Sequence, residues 1–327
     1  MHAICVTMRK RLLILLTCIL SLGVPYASAF QEDTLHTTFI ASSLFHPYHV
    51  VTVTAGGGMH SLMHQLSQKG IESAGLGKSI GAGGQLQATY TYYFHKYVGV
   101  TGGFGFEVYT GNMNGSFVDS VYLFDKDNGM YYWLHSDFKE FKEREQLYMI
   151  TVPVGLTGRI NITDPLQLRG TVGFGMNVTV GSHFRALGEL ETTAYYPDMH
   201  LRFNPDLPQH GFSNYFMGGY NGKITNTFPV NMLVFGDFGV HYQFTKRWGV
   251  YAGVYVSYTC FNAVRPTYTA ANDRLELINF NLKDKQWTYT GIINSKFVEA
   301  LNPLSVGIKV GVTITYLSPA HCNCEDI

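Results

Sequence analysis

Four charged side chains sit where charge is costly. Glu107, Arg169, Asp237 and Lys309 each lie on the polar side of a stretch whose other side is apolar, and an ionised group enclosed among such stretches is tolerated only when it is paired. Asp237 and Lys309 each stand seven residues before the aromatic that ends its stretch, Phe244 and Tyr316. The two are therefore level. The spacing predicts an interior charge network in which Asp237 meets Lys309, with Glu107 and Arg169 beside them. The chemistry of such a network is electrostatic: it closes an interior, or gates what passes through it.

Other reactive types are less productively arranged. Ser182 and His183 have the character of a nucleophile and its base, but adjacent strand residues point to opposite faces. His60, Ser257 and Glu107 converge only if three separate stretches happen to share a level. His60 and His64 have the spacing of a helical metal site, yet the glycines at 56, 57 and 58 argue against a helix there. Asp125-Lys126-Asp127-Asn128-Gly129 is one residue short of a calcium loop and lacks its closing glutamate, so a hairpin turning at Asn128-Gly129 is expected instead. After export, the cysteines reduce to Cys260, Cys322 and Cys324, an odd number that does not make a disulfide framework. Asp33-Thr34-Leu35 and Asp119-Ser120-Val121 match a three-residue acceptor pattern for O-glycosylation. No metal site and no cofactor is expected.

The stretches that carry the four charges have a period of two. Along residues 304–316, Leu304, Val306, Ile308, Val310, Val312, Ile314 and Tyr316 fall on one side, and Ser305, Gly307, Lys309, Gly311, Thr313 and Thr315 on the other. This is a strand with one apolar face, long enough for the roughly 9–11 residues of a tilted crossing of hydrocarbon. Comparable alternation recurs at 50–59, 81–94, 97–109, 147–160, 166–180, 230–244 and 248–260, with Pro153 marking a bulge or local opening. Connections at 95–96, 161–165 and 245–247 are short, and those at 60–79, 112–145, 184–229 and 263–302 are long. The pattern predicts an all-β fold, an eight-stranded antiparallel up-and-down transmembrane β-barrel with short periplasmic turns and long extracellular loops. Closure of such a barrel removes exposed sheet edges. If the hairpin within 117–136 entered the wall, there would be ten strands.

Arg9, Lys10 and Arg11 precede an apolar run at 12–22, and Ala27-Ser28-Ala29 offers a cleavage site, so an exported chain with a signal peptide is expected. The organisation follows: signal peptide 1–29, periplasmic lead-in 30–47, barrel 48–317, tail 318–327. A formal net charge of zero leaves no basic excess for nucleic acid, which is not an expected partner. The 35 glycines, 22 tyrosines and 22 phenylalanines suit a wall with close backbone approaches and aromatic girdles.

Tyr148-x-x-x-Val152-Pro153-Val154 and Lys309-x-Gly311-x-x-Ile314-x-Tyr316, with the leader and the eight strands, resemble the OmpA-like and PorT-like outer-membrane β-barrel families over residues 48–317. The resemblance implies insertion into outer-membrane lipid by the barrel assembly machinery, with Lys309, Gly311, Ile314 and Tyr316 as the assembly signal, and no cell-wall anchor. It leaves the function open. The first expectation is a non-enzymatic barrel that displays its long loops to an extracellular ligand, for adhesion or envelope integrity. Tyr131, Tyr132, Trp133, Tyr195, Tyr196 and Trp287 are the contact aromatics. The alternative is a narrow ion or small-solute channel gated by the lumenal charges, and a lipid-modifying barrel enzyme stands third.

Overall fold

The computed structural model describes residues 47–66, 77–125, 128–207, 210–224, 230–263, 277–281, 286–295 and 298–317. The leader, most of the lead-in, the Asp33 triplet and the tail with Cys322 and Cys324 lie outside these residues. In chain order the strands are β1 (Tyr48–Leu66), β2 (Gly77–Ser79), β3 (Ala82–Tyr93), β4 (Val98–Asp125), β5 (Met130–Asn161), β6 (Leu166–Tyr196), β7 (Leu201–Phe203), β8 (Asp206–Leu207), β9 (Phe212–Gly222), β10 (Val230–Gln243), β11 (Trp248–Thr259), β12 (Ile278–Asn281), β13 (Gln286–Tyr289) and β14 (Val298–Leu317). Eight of them, β1, β3, β4, β5, β6, β10, β11 and β14, pair antiparallel in a ring that closes between β10 and β6 and between β14 and β1. Among the described residues no helix is long and apolar enough to cross a membrane.

Three two-residue turns lie at one end of the ring, within 94–97, 162–165 and 244–247. His95 and Val98 exchange both backbone hydrogen bonds, Thr163 and Leu166 do likewise, and Thr245 N–H donates to the Trp248 carbonyl. The long connections all leave from the other end. Outward positions are apolar: Phe104, Phe174 and Ile308 are each about two-thirds exposed (67%, 67% and 69%). Most inward positions are polar, small residues alternating with buried tyrosines such as Tyr93, Tyr251 and Tyr255. Thr91, Thr101, Thr157 and Thr171 join hydroxyl to hydroxyl across β3, β4, β5 and β6, a cross-strand ladder of the kind that stabilises sheets.

Inward glycines clear space for large side chains. A Cβ on Gly307 would stand 2.6 Å from the Tyr255 hydroxyl and 2.4 Å from the Gly57 carbonyl oxygen, so the Tyr255 ring occupies the room that this glycine leaves. Gly307→Val is expected to destabilise the barrel by about 1–3 kcal/mol through overpacking. The check is the temperature at which the folded band converts on a gel run without boiling. An unchanged temperature would mean that both the Tyr255 ring and the β1 backbone at Gly57 give way without cost.

The long connections depart from the sequence expectation. Residues 112–145 and 184–229 are largely strand rather than loop: β4, β5 and β6 continue past the ring as one sheet, joined by β9 on β6. Their alternation persists, but its sense inverts. In the ring Ile150, Val152 and Val154 face out. Beyond it Lys142 and Arg144 face out, while Met113, Phe117, Phe138, Phe141 and Phe184 are buried on the inner face. At the tip both faces are apolar, with Val118, Tyr122, Phe124, Tyr131 and Trp133 exposed on the outer one. The hairpin at Asp125 and Met130 is the far end of this extension and adds no wall strand, so the ring holds eight.

Candidate functional site

Strands β10, β11 and β14 bring Asp237 and Lys309 together inside the ring. Lys309 Nζ lies 3.1 Å from Asp237 Oδ2, with both side chains largely buried. Gly253 on β11, the register partner of Lys309, contributes no side chain between them. The Tyr251 hydroxyl donates to Asp237 Oδ1 at 2.8 Å. Glu107 is buried too, but it accepts hydrogen bonds from the hydroxyls of Tyr109 and Thr151. Arg169 lies 5.9 Å from the ring centroids of both Tyr93 and Tyr251. Among the described residues neither Glu107 nor Arg169 closes an ion pair. They border the same small cavities as the pair: Arg169 a cavity of about 30 Å³ and Glu107 one of about 20 Å³. Spaces of this size hold one or a few water molecules.

Two further layers obstruct the interior, and neither was singled out from the sequence. At the turn end Tyr48 and Tyr93 stack at 4.7 Å, and the Arg159 guanidinium covers both rings. At the other end residues 277–281 and 286–295, between β11 and β14, fold back over the mouth, where Leu301 of β14 joins them. Leu277, Tyr289, Ile292, Ile293 and Leu301 pack there against Tyr109, Phe138, Phe141, Leu147 and Phe184 in one buried cluster. A buried acid holds this cap: Glu143 accepts from the Tyr289 hydroxyl and from Ile292 N–H at 3.1 Å. Beside it Glu145 meets His64 Nε2 at 2.5 Å. Glu143 and Glu145 lie in the stretch read as a loop, so their shared inward face was not legible.

His60, Ser257 and Glu107 do reach one level: His60 and Ser257 both stand opposite Ser305 in register, and the Tyr109 hydroxyl contacts Ser257 Oγ at 3.3 Å and Glu107. No serine of that group bonds the imidazole, whereas on the extension Ser120 Oγ lies 2.8 Å from His135 Nδ1. Ser257 Oγ bonds Ser305 Oγ at 2.6 Å, while His60 Nε2 engages the Tyr255 hydroxyl at 2.5 Å. Ser182 donates to the Ile224 carbonyl, and His183 stacks on Tyr148. His60 and His64 stand on strand β1, and among the described residues no group of three or more metal-ligating side chains gathers. Cys260 is free and exposed. In the last strand Lys309 and Gly311 face inward, Ile314 and Tyr316 outward.

The aromatic residues of the extension divide between its faces. Tyr132 and Tyr196 face inward and stack at 5.1 Å over a small second core with Leu134 and Phe212, so these two are not open contact residues. Tyr122, Phe124, Tyr131 and Trp133 stand on the outer face, where Tyr122 and Tyr131 stack at 5.2 Å. Tyr195 pairs with Trp133 in the next strand. The Trp287 side chain lies outside the described residues.

The chain is similar in structure to the outer membrane protein OprG from Pseudomonas aeruginosa, at 10% identity and a TM-score of 0.34, over 84% of this chain and 97% of that one. It is similar to Neisserial surface protein A at 11% identity and a TM-score of 0.32, over 82% and 97%. It is also similar to Ail, the attachment invasion locus protein of Yersinia pestis, at 10% identity and a TM-score of 0.26, over 83% and 97%. No protein-family profile and no curated protein matches the sequence.

Proposed function

We propose that this chain is a bacterial outer-membrane barrel whose ring is an anchor, and whose extended sheet stands outside the cell and makes the functional contact. The observation that carries the reading is the inversion just beyond the ring, where Asn114, Lys142, Arg144, Arg185 and Glu189 take the outer face and Met113, Phe138, Phe141, Phe184 and Leu190 the inner one; only at the tip, with Val118, Tyr122, Phe124, Tyr131 and Trp133, is the outer face apolar again. The apolar outer face of the ring suits lipid and the polar one just beyond it suits water. Exposing the outer belt to water instead would cost about 25 cal/mol for each Å² of apolar surface. Export through the leader, and insertion by the assembly machinery through Lys309, Gly311, Ile314 and Tyr316, belong to the same reading. A lumen obstructed at three levels supports an anchor rather than a pore. The pairing of Ser257 with Ser305 rather than with a base supports a non-enzymatic protein.

Residues 30–327, refolded and verified by heat-dependent gel mobility, are expected to give no discrete currents in a planar bilayer. Reproducible unitary openings would sink the anchor reading. The second reading, a narrow channel, is favoured by the Lys309–Asp237 pair itself, which sits where a gate would. It requires that Lys309→Ala create or enlarge openings, and silence from the folded variant removes it.

A further inference from the structure

Where the ring gives way to the extension, the outer face of the sheet carries bases without acids. The register sets Asn112, Arg144, Arg185 and Asn221 side by side across β4, β5, β6 and β9. Lys142 stands two residues further out on β5, and Lys223 follows Asn221 by two residues on the side of the ring. All four bases are exposed. Arg144 and Arg185 are direct cross-strand partners, an opposition of like charges that destabilises a sheet.

No acid relieves that opposition among the described residues. Glu143 and Glu145 belong to the buried inner face. The first exposed acids, Glu140 and Glu189, lie beyond Lys142 on the side away from the ring, and Glu191 is held by Lys139 at 2.6 Å. Among the described residues none of the four bases makes an ion pair. The Arg185 guanidinium lies along the sheet over Gly219, where a Cβ would stand 3.1 Å from its Nη2.

Tyr148 sets the level of this row. It stands on the outer face of β5, four residues from Arg144 toward the ring, and stacks on Phe106 and on His183. Aromatics in this position mark the interface end of a lipid-facing belt. With strands tilted about 40°, four residues rise about 10 Å along the barrel axis, and long basic side chains reach back toward the interface along their apolar stems. The bases therefore stand clear of the hydrocarbon and within reach of headgroups. Directly below them the belt continues with exposed Ile150 and Val180.

We infer that Arg144 and Arg185, flanked by Lys142 and Lys223, bind the phosphate headgroup of a lipid in the leaflet from which the extension emerges. Two guanidinium forks on neighbouring strands suit one phosphate, each offering parallel N–H donors to its oxygens. A phosphate monoester brings about −1.5 to −2 charge at neutral pH, which cancels the opposition of the two arginines. An acidic peptide or a free anion would meet the same charges. A lipid matches the apolar belt as well, because its chains lie against Ile150 and Val180 while its headgroup meets the bases. The inference rests on the outer-membrane reading for the identity of the leaflet.

The test titrates the refolded chain, residues 30–327 in detergent, with phosphatidic acid, whose headgroup is a phosphate monoester, and with phosphatidylcholine. Native mass spectrometry counts the lipid retained. Phosphatidic acid is expected to bind saturably and about tenfold or more tighter. Arg144→Gln with Arg185→Gln should erase that preference, whereas Lys246→Gln with Arg247→Gln, at the turn end, should leave it. Arg144→Glu converts the opposition into an attractive pair, so without lipid it should raise the temperature at which the folded gel band converts, and it should lose the preference. Equal retention of the two lipids, or a preference that survives Arg144→Gln with Arg185→Gln, overturns the inference. A preference lost only in the turn-end variant overturns it in favour of the opposite leaflet. If inorganic phosphate alone raises the conversion temperature as much as phosphatidic acid does, the site takes a free anion and the lipid is excluded. A silent, folded barrel without lipid preference fails this inference alone, whereas a conducting barrel that keeps the preference fails only the anchor reading.

Discussion

Lys309→Met is expected to lower the unfolding free energy of the barrel by about 3–5 kcal/mol, because it strands the Asp237 carboxylate in a closed interior. The carboxylate keeps the Tyr251 hydroxyl but loses its counter-charge at 3.1 Å. Desolvation without compensation dominates that figure, so removing both charges should be far milder than removing one. The double variant Lys309→Met with Asp237→Leu is expected to recover most of the loss, and the shortfall from additivity measures the coupling. Urea titration followed by the shift between folded and unfolded gel bands reads both. The assembled fraction is scored separately, since Lys309 also belongs to the proposed assembly signal. If the single variant is no worse than the double, the pair is a solvated contact with no part in closing the lumen.

The ring was legible because its residues obey one rule from end to end. Apolar outward and polar inward positions along 304–316 or 166–180 give strand, face and length together, and the short turns fix which end is which. Asp237 and Lys309 could be placed level because each is counted from the aromatic that ends its strand. Counting places Cα atoms but not side-chain partners, which is why it grouped Glu107 and Arg169 with them. In the structure Glu107 finds hydroxyls and Arg169 finds aromatic rings. Beyond the ring the rule inverts, and a search for one polarity reads the inverted strand as a break. Lys142 and Arg144 outside, against Phe141, Glu143 and Glu145 inside, puts charge on both faces, so no apolar period marks the strand there. The cap was out of reach for another reason. Tyr289 and Ile292 contact Glu143 across about 150 residues of chain, and no local period reports a contact of that range.

Acidification is expected to tighten the cap and a rise in pH to loosen it, with Glu143 as the titrating group. Burial, reinforced by the charge of Glu145, holds the Glu143 carboxyl well above the usual carboxylate range. The hydrogen bonds from Tyr289 and Ile292 N–H pull the other way but do not prevail. A raised pKa in the folded state means that this acid's contribution is complete below its unfolded value and is lost as pH rises through the folded one. The groups facing it are Glu145 and Tyr289, with His64 paired to Glu145 on the far side. Amide exchange at Ile292 and Ile293, both fully buried, should accelerate with pH by more than the intrinsic chemical rate. Glu143→Gln keeps an acceptor oxygen for Ile292 and cannot ionise, so it should flatten that excess. Glu143→Ala leaves the Tyr289 hydroxyl and Ile292 N–H without an acceptor, at about 1–3 kcal/mol for each bare donor, and should open the cap at every pH. An undiminished pH slope in Glu143→Gln would overturn its role as the titrating group and reduce Glu143 to a fixed hydrogen-bond acceptor.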